Sequence, residues 1–362
     1  MKLNRRLIIF LLLVIAAGVF LYAYSKERLN QENPVNSDAQ NIQKGISISF
    51  VGDILLASHV ENKINQAGLN YPFEKVSSLL STSDFTIGNL ESAIGLGGTP
   101  SVNKEYTFRA NPKVLEGVKW SGIDILSVAN NHVLDYGTSA FYETLESIES
   151  VDLQYVGAGR NQAEAFKPVI QNKNGKKVVF FAASRVIPNG AWHAGQKWPG
   201  VAGIYDPNKL LKSMEGFNQD DIVVVYLHWG VEKESIPKPY QRKLARLLID
   251  NGADVVIGSH PHVLQGFEFY RDGLIAYSLG NFVFTNIKNN SMILTVHFDD
   301  KGIESAEIVP CLIKNYRPEP LENEDDKLSF YRMIEDISFG VKINGGKLDR
   351  VHGDETKAKR KY

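Results

Sequence analysis

The sequence has 362 residues, 43% of them hydrophobic, enough to bury the core of one large domain or two ordinary ones. With 40 basic against 41 acidic residues the formal net charge is −1, which excludes the basic excess of a nucleic-acid binder and offers a polyanion no long-range steering. The single cysteine, Cys311 in the apolar run EIVPCLI, excludes an intrachain disulfide and a thiolate zinc cluster and reads as a small buried residue.

Lys2, Arg5 and Arg6 precede an uncharged, mostly apolar run from Leu7 to Tyr24. At ~1.5 Å per residue a helix of that length spans ~27 Å, close to the ~30 Å hydrocarbon core of a bilayer. A positive flank stays on the cytoplasmic side, so the reading is a single-pass cell-membrane protein with the bulk of its chain extracytoplasmic. A cleaved signal peptide is the rival. Its apolar stretch is usually shorter and closes on small residues, whereas this one closes on FLYAYSKER. An uncleaved anchor over residues 1–25 is the favoured reading. Residues 26–45 are polar and carry Asn-Pro and Asn-Ser-Asp, the composition of a flexible stalk.

At Ile46 the texture changes. ISISFVGDILL alternates and then turns solidly apolar, as a buried strand does. From there to about Pro310 one theme recurs: a short β-branched strand, a polar cluster at its end, then a helical stretch. SDFTIGNLES places Glu91 just past a strand. GIDILSVANNHVLDYG leads into TSAFYETLESIES, with Phe141, Leu145 and Ile148 on one stripe. KKVVFFAAS is a strand, and DDIVVVYLHWG is another that ends in His228. PYQRKLARLLIDNG is an amphipathic helix with Pro near its start and Asn-Gly at its end. ADVVIGSHPHV is a strand running into a histidine pair, and LIAYSLGNFVF and SMILTVHFD are two more. Residues 316–362 read as a charged tail: YRPEPLENEDDK as an exposed connection, LSFYRMIEDIS as a helix that packs back, GDETKAKRKY as a frayed end.

Strands alternating with helices imply an α/β protein, and in such sheets ligands collect beyond the carboxyl ends of the strands. NNHVLDYG, at the end of IDILSVA, is then either a turn shaped by Asp135 and Gly137 or part of a site. The strand ends together carry Asp53, Glu91, Asn131, His132, His228, His260 and His262. Carboxylates, an amide oxygen and imidazoles suit a divalent transition metal such as Mn, Fe or Zn, and two such ions can share a bridging carboxylate. His260 and His262 flank Pro261; in an extended segment residues i and i+2 project to the same side. His59, His193, His297 and His352 read as surface or strand residues.

FVGDILLA, IGNLES, SVANNHVLDYG, YLHWG, GADVVIGSHPHV and AYSLGNFVF occur in the order seen in CapA/PgsA-type proteins of bacterial poly-γ-glutamate capsule synthesis. The chain resembles that family from about Ile46 to Phe284, and through it the calcineurin-like metallophosphoesterases. The resemblance implies a four-layer α-β-β-α sandwich over residues 46–315, a site of one or two divalent ions, and an anionic polymer or phosphate ester as ligand. It implies the ligase and membrane subunits of a poly-γ-glutamate synthetase as partners. By the same resemblance Asp53 and His262 would hold a first ion, and Asn131, His228 and His260 a second. Glu91 would bridge the two, and His132 would meet the substrate as proton donor or phosphate contact. Asn281 would line the pocket or shape a turn with Gly280, and Arg109 in YTFRANP would contact an anion or lie on the surface. Two departures matter: phosphoesterases carry a histidine where this chain has Leu55, and usually an aspartate at the bridging position where it has Glu91. The first ion is short of a ligand, so hydrolysis would be slow, or the site would bind an anion without turning it over.

Overall fold

Successive side chains of a strand face opposite ways, so alternation decides what each strand buries. The computed structural model describes Gly18 and residues 45–351, apart from 103, 218 and 286–288. Apart from Gly18, the expected anchor and most of the stalk, like residues 352–362, lie outside the described residues, among which no helix is long and apolar enough to cross a membrane.

In chain order the principal elements begin with β1 (Ile46–Ile54), α1 (His59–Ala67), β2 (Phe85–Leu90), α2 (Val114–Trp120), β3 (Ile125–Ser127), α3 (Gly137–Ser150) and β4 (Gln154–Val156). There follow β5 (Val169–Lys173), β6 (Lys176–Ser184), α4 (Asn208–Met214), β7 (Ile222–His228), α5 (Pro239–Asp250), β8 (Val255–Ser259), β9 (Leu264–Tyr270) and β10 (Gly273–Leu279). The remainder is β11 (Asn281–Val283), β12 (Asn290–Asp299), β13 (Gly302–Lys314), β14 (Arg317–Pro320), α6 (Glu324–Ile337), β15 (Val341–Asn344) and β16 (Lys347–Arg350).

These strands form a ten-stranded sheet, ordered β15-β16-β13-β12-β1-β2-β3-β4, with β11 beside β1 and β14 beside β13. A six-stranded sheet is ordered β9-β10-β8-β7-β6-β5. The inward residues of both sheets share one core: Ile48 and Phe50 from β1, Phe180 from β6, Val224 and Tyr226 from β7, and Ile257 from β8. The outward residues of the large sheet pack on α1, α2 and α3 through Val60, Leu115 and Phe141. Those of the small sheet, such as Val225 and Leu227, pack on α4 and α5 through Leu210 and Leu248. The fold is thus mixed α/β with helices over the outer face of each main sheet, and Cys311 lies buried in the large sheet's outer cluster, where burial pushes its thiol up to about 12.

Parallel pairing joins five strands of the large sheet, β1 to β4 and β11, and four of the small one, β6, β7, β8 and β10. Their carboxyl ends therefore carry the chain to a common rim in each sheet. The β1–β2 register slips between Phe50 and Asp53, and the Val51 carbonyl at this irregularity accepts a 2.7 Å hydrogen bond from the Tyr226 hydroxyl on β7. That buried bond ties one sheet to the other just below the rim. Gly52 follows; a Cβ there would meet the Gly280 carbonyl oxygen at 2.0 Å, so no larger residue fits without moving the backbone.

The chain beyond Lys314 differs from the tail expected of it. Arg317–Pro320 is not an exposed connection but a strand on β13, and β15 and β16 form a hairpin that extends the large sheet. The helix α6 packs back as expected, placing Phe330, Tyr331 and Ile334 in the core between the sheets.

Candidate metal centre

The sequence places its polar clusters at strand ends, and the fold brings them together. Asp53 ends β1 opposite Asn281 of β11. Glu91 directly follows β2, Asn131 and His132 follow β3, His228 closes β7, and His260 and His262 follow β8. Large-sheet and small-sheet residues meet in one buried cluster. One oxygen or nitrogen from each of Glu91, His260 and His262 lies within 4.8 Å of the others, and the same holds for Asp53, Glu91 and His228.

His228 Nε2 lies 2.8 Å from Asn131 Oδ1 and 3.7 Å from Glu91 Oε1, while its Nδ1 faces Ser259 Oγ at 3.1 Å. The His228 and His260 rings are 4.7 Å apart. His262 Nε2 stands 3.8 Å from Glu91 Oε1. The histidine pair converges for a different reason from the one the sequence gives: β8 stops at Ser259, and His260 and His262 have φ of 97° and 58° instead of an extended backbone. Positive φ is strained for these side chains and is concentrated at functional sites.

Electrostatics follow from burial. Burial, and then the neighbouring Asp53, pushes Glu91 well above the usual carboxylate range. Burial pushes His228 well below the usual imidazole value and takes His260 down to about 3, with the neighbouring ring of His262 adding to the fall. Burial also opposes charge on His262, but Glu91 and Asp53 outweigh it and raise the ring to about 10.

Both oxygens of Glu91 and Nδ1 of His260 are buried without a hydrogen-bond partner. Buried polar groups are normally satisfied, and a bound cation would supply what these lack. The donor set, mixing carboxylate, amide oxygen and imidazole, fits Mn, Fe or Zn. The other such atoms among the described residues are two hydroxyls, Ser92 Oγ and Ser127 Oγ, beside the same strand ends.

His132 sits at the edge of this cluster. Its Nδ1 is 2.7 Å from Asp135 Oδ2 and 2.8 Å from Lys104 Nζ, and Phe108 lies against its ring. Lys104 also donates to the Asn131 carbonyl and to Asp135 Oδ1. Burial lowers both His132 and Lys104, against the pull of Asp135. Asp135 is therefore more than a turn former: its Oδ2 also accepts from the Phe108 amide at 2.8 Å.

Arg109 is engaged elsewhere, donating to the Gly97 carbonyl and lying 4.3 Å from the Tyr136 ring. Asn281 Oδ1 lies 2.9 Å from His262 Nδ1, so it orients a histidine. His59 is exposed at the start of α1 and does not stand in for the histidine absent at Leu55. The sequence reading missed Asn89, whose Nδ2 donates to Asp53 Oδ1 at 2.8 Å. It also missed Asn130, whose Oδ1 accepts from the His132 and Val133 amides and whose Nδ2 donates to Asn89 Oδ1. An Asn inside the apolar run IGNL was a usable signal for Asn89, because amides are depleted in strands.

Fold and cluster define an α/β protein that gathers a histidine–carboxylate set where the carboxyl ends of its parallel strands meet. The family described as bacterial capsule synthesis protein PGA_cap matches residues 47–286, and the chain belongs to it. The capsule biosynthesis protein CapA of Bacillus anthracis is 35% identical over 309 residues, 82% of this chain and 74% of its own length. The PGA biosynthesis protein CapA of Bacillus subtilis (strain 168) is 33% identical over 324 residues, 87% of this chain and 85% of its own. A probable polyglutamine synthesis accessory protein of Mycobacterium tuberculosis is 26% identical over 245 residues, 64% of each chain.

Proposed function

We propose that this capsule-synthesis family member is a membrane-anchored, extracytoplasmic protein of poly-γ-glutamate synthesis or export whose strand-end cluster binds a divalent transition metal. The observation that carries the metal reading is Glu91, a buried carboxylate with neither oxygen partnered, facing His228 and His262. Glu91, Asn131, His228 and His260 are the residues that would hold the ion. When bound, such an ion polarises a phosphoryl or carbonyl oxygen. With Nδ1 held by Asp135 and Lys104, His132 keeps Nε2 as the ring atom free to meet a substrate. Burial of the cluster excludes water and strengthens each charge–charge contact there. The layering of two sheets between helices supports a phosphoesterase-like reading of the chemistry, and the ligase and membrane subunits of a synthetase are the partners this reading requires.

A second reading is an accessory subunit that grips the polymer's carboxylates through the ion without turnover. It is favoured by the missing ligand at Leu55 and by the M. tuberculosis relative's name as a probable accessory protein.

The test has two parts. A producing strain carrying Glu91→Ala is expected to make less polymer at unchanged protein abundance; normal yield would remove any metal-dependent part in capsule synthesis. Metal-stripped protein is then reloaded with Mn, Zn or Fe and assayed on phosphomonoesters and phosphodiesters beside His132→Ala. Metal-dependent turnover lost in the variant supports the enzyme, and binding without turnover supports the accessory subunit.

A further inference from the structure

We infer that an apolar cleft beside His132 takes the hydrocarbon chain of an amphiphile with an anionic head, of which a long-chain phosphate monoester is the simplest member. The inference rests on the phosphoesterase-like reading above for the head and adds the class of group to which that head is attached. The cleft, about 600 Å³, lies between the loop after β6 and the start of α3. That volume is in the range of small-molecule sites. Leu134, Thr138, Ala191, Trp192, Trp198 and Pro199 form its walls, and none of the described residues lining it is charged. It adjoins the site already described. Leu134 lies two residues after His132, and the Trp192 ring is 5.5 Å from Lys104 Nζ, which is 2.8 Å from His132 Nδ1.

The two indoles are held in place. Asn189 caps the turn Gly190–Trp192, its Oδ1 accepting from the Ala191 amide at 2.9 Å. The Trp198 carbonyl accepts from the Gly195 amide at 3.0 Å, and the Trp198 ring rests on Gly195, where a Cβ would meet it at 2.0 Å. Trp198 nevertheless stays 57% exposed. A braced indole left facing water forgoes the gain of burial, and exposed apolar surface of this kind marks an interaction site. The Ser101 amide donates to the Asp135 carbonyl at 2.8 Å, which brings the following residue, Val102, 91% exposed, to the same rim.

The chemistry of the walls selects the occupant. A carboxylate-rich polymer finds no cation inside the cleft. A sugar ring brings several hydroxyls that must be satisfied, and side-chain partners for them are confined to Thr138 and the two indole N–H groups. A hydrocarbon chain requires no partner and gains with each methylene it buries. Charge enters at one end only, where Lys104 and His132 stand, so the ligand is apolar along the cleft and anionic at that end.

The experiment uses the full chain in phosphatidylcholine nanodiscs and follows tryptophan fluorescence as dodecyl phosphate brominated at its chain end is added. Quenching is expected, and butyl, hexyl and octyl phosphates should relieve it with affinity rising by up to about fourfold per methylene. A Cβ at Gly190, in the cleft wall, would meet no atom within 4 Å. Gly190→Leu should therefore fill the cleft, abolish quenching and flatten the chain-length series, with melting and Mn²⁺ affinity as in wild type. Trp198→Ala, which removes a wall and fills nothing, should weaken octyl phosphate about tenfold. Affinity independent of chain length, or the wild-type series retained in Gly190→Leu, would overturn the inference. So would maltose changing the fluorescence where alkyl phosphates do not. Dodecyltrimethylammonium binding as tightly as dodecyl phosphate would overturn the anionic head. A chain-length series that persists while Mn²⁺ adds nothing to affinity would keep the cleft and remove the metal reading above, so the two fail separately.

Discussion

The two ends of the parallel strands treat polar groups in opposite ways. At the amino ends, Asp84, Asp124 and Asp254 each precede a strand and repeat one device. The backbone N–H of each donates to a carbonyl of the neighbouring strand, and its carboxylate accepts that strand's N–H: Ser47 at 2.9 Å, Thr86 at 2.8 Å and Val223 at 2.7 Å. At the carboxyl ends, Glu91 and His260 are more deeply buried than these half-buried aspartates and yet have unpartnered atoms. Polar side chains thus divide into those that finish a sheet and those left with open valences. The number of satisfied valences separates them, not residue type.

The contrast can be broken most sharply at Glu91. With metal at about 100 times its dissociation constant, wild type should gain about 3 kcal/mol of stability. Glu91→Gln should lose that gain entirely and be at least as stable as wild type in chelator, because the variant buries no carboxylate lacking a partner; paired thermal melts with and without Mn²⁺ check both.

The amino-end rim should answer in the reverse sense. Asp124→Ala leaves the Thr86 N–H without its side-chain acceptor and should cost about 1–3 kcal/mol in denaturant unfolding, with metal affinity unchanged. A metal-binding defect in that variant would erase the distinction between the rims.

Asp254 sharpens the comparison through pH. Burial, only partly offset by the Val223 amide, raises its carboxyl from 3.8 to about 6. The folded state therefore holds a proton that the unfolded chain has released. Stability should be greatest below 3.8 and fall as pH rises through about 6, by at most about 3 kcal/mol. Asp254→Asn should flatten that slope in urea titrations at fixed pH values. The smallest effect is expected at Tyr226→Phe, which strands the Val51 carbonyl at about 1 kcal/mol in the same unfolding assay.

Much of the carboxyl-end rim was legible because its residues interrupt apolar runs. Asp53, Glu91, Asn131, His228 and the His260–His262 pair each stand where a β-branched stretch stops, and a strand end is where an α/β sheet presents side chains. What escaped has physical reasons. Lys104 reaches His132 from a polar loop 28 positions away, and nothing local marks such a contact. The left-handed backbone at His260 and His262 is imposed by packing and has no glycine to announce it. The hairpin of β15 and β16 did carry a signal, Gly345-Gly346 with φ of 58° and 95° between short alternating runs, but the surrounding charge hid it. Pro318 and Pro320 argued against a strand at β14, yet β14 pairs only with β13, and an edge position tolerates proline.

The hydroxyl of Tyr226 spans the seam between the sheets, and the cluster lies across that same seam, with Glu91 and Asn131 on one bank and His228 and His260 on the other. A cation seated there would act as a clasp. Its grip would depend on how far the halves can shear, so a mutation deep in the sandwich, remote from every coordinating atom, could loosen the ion by letting the banks drift.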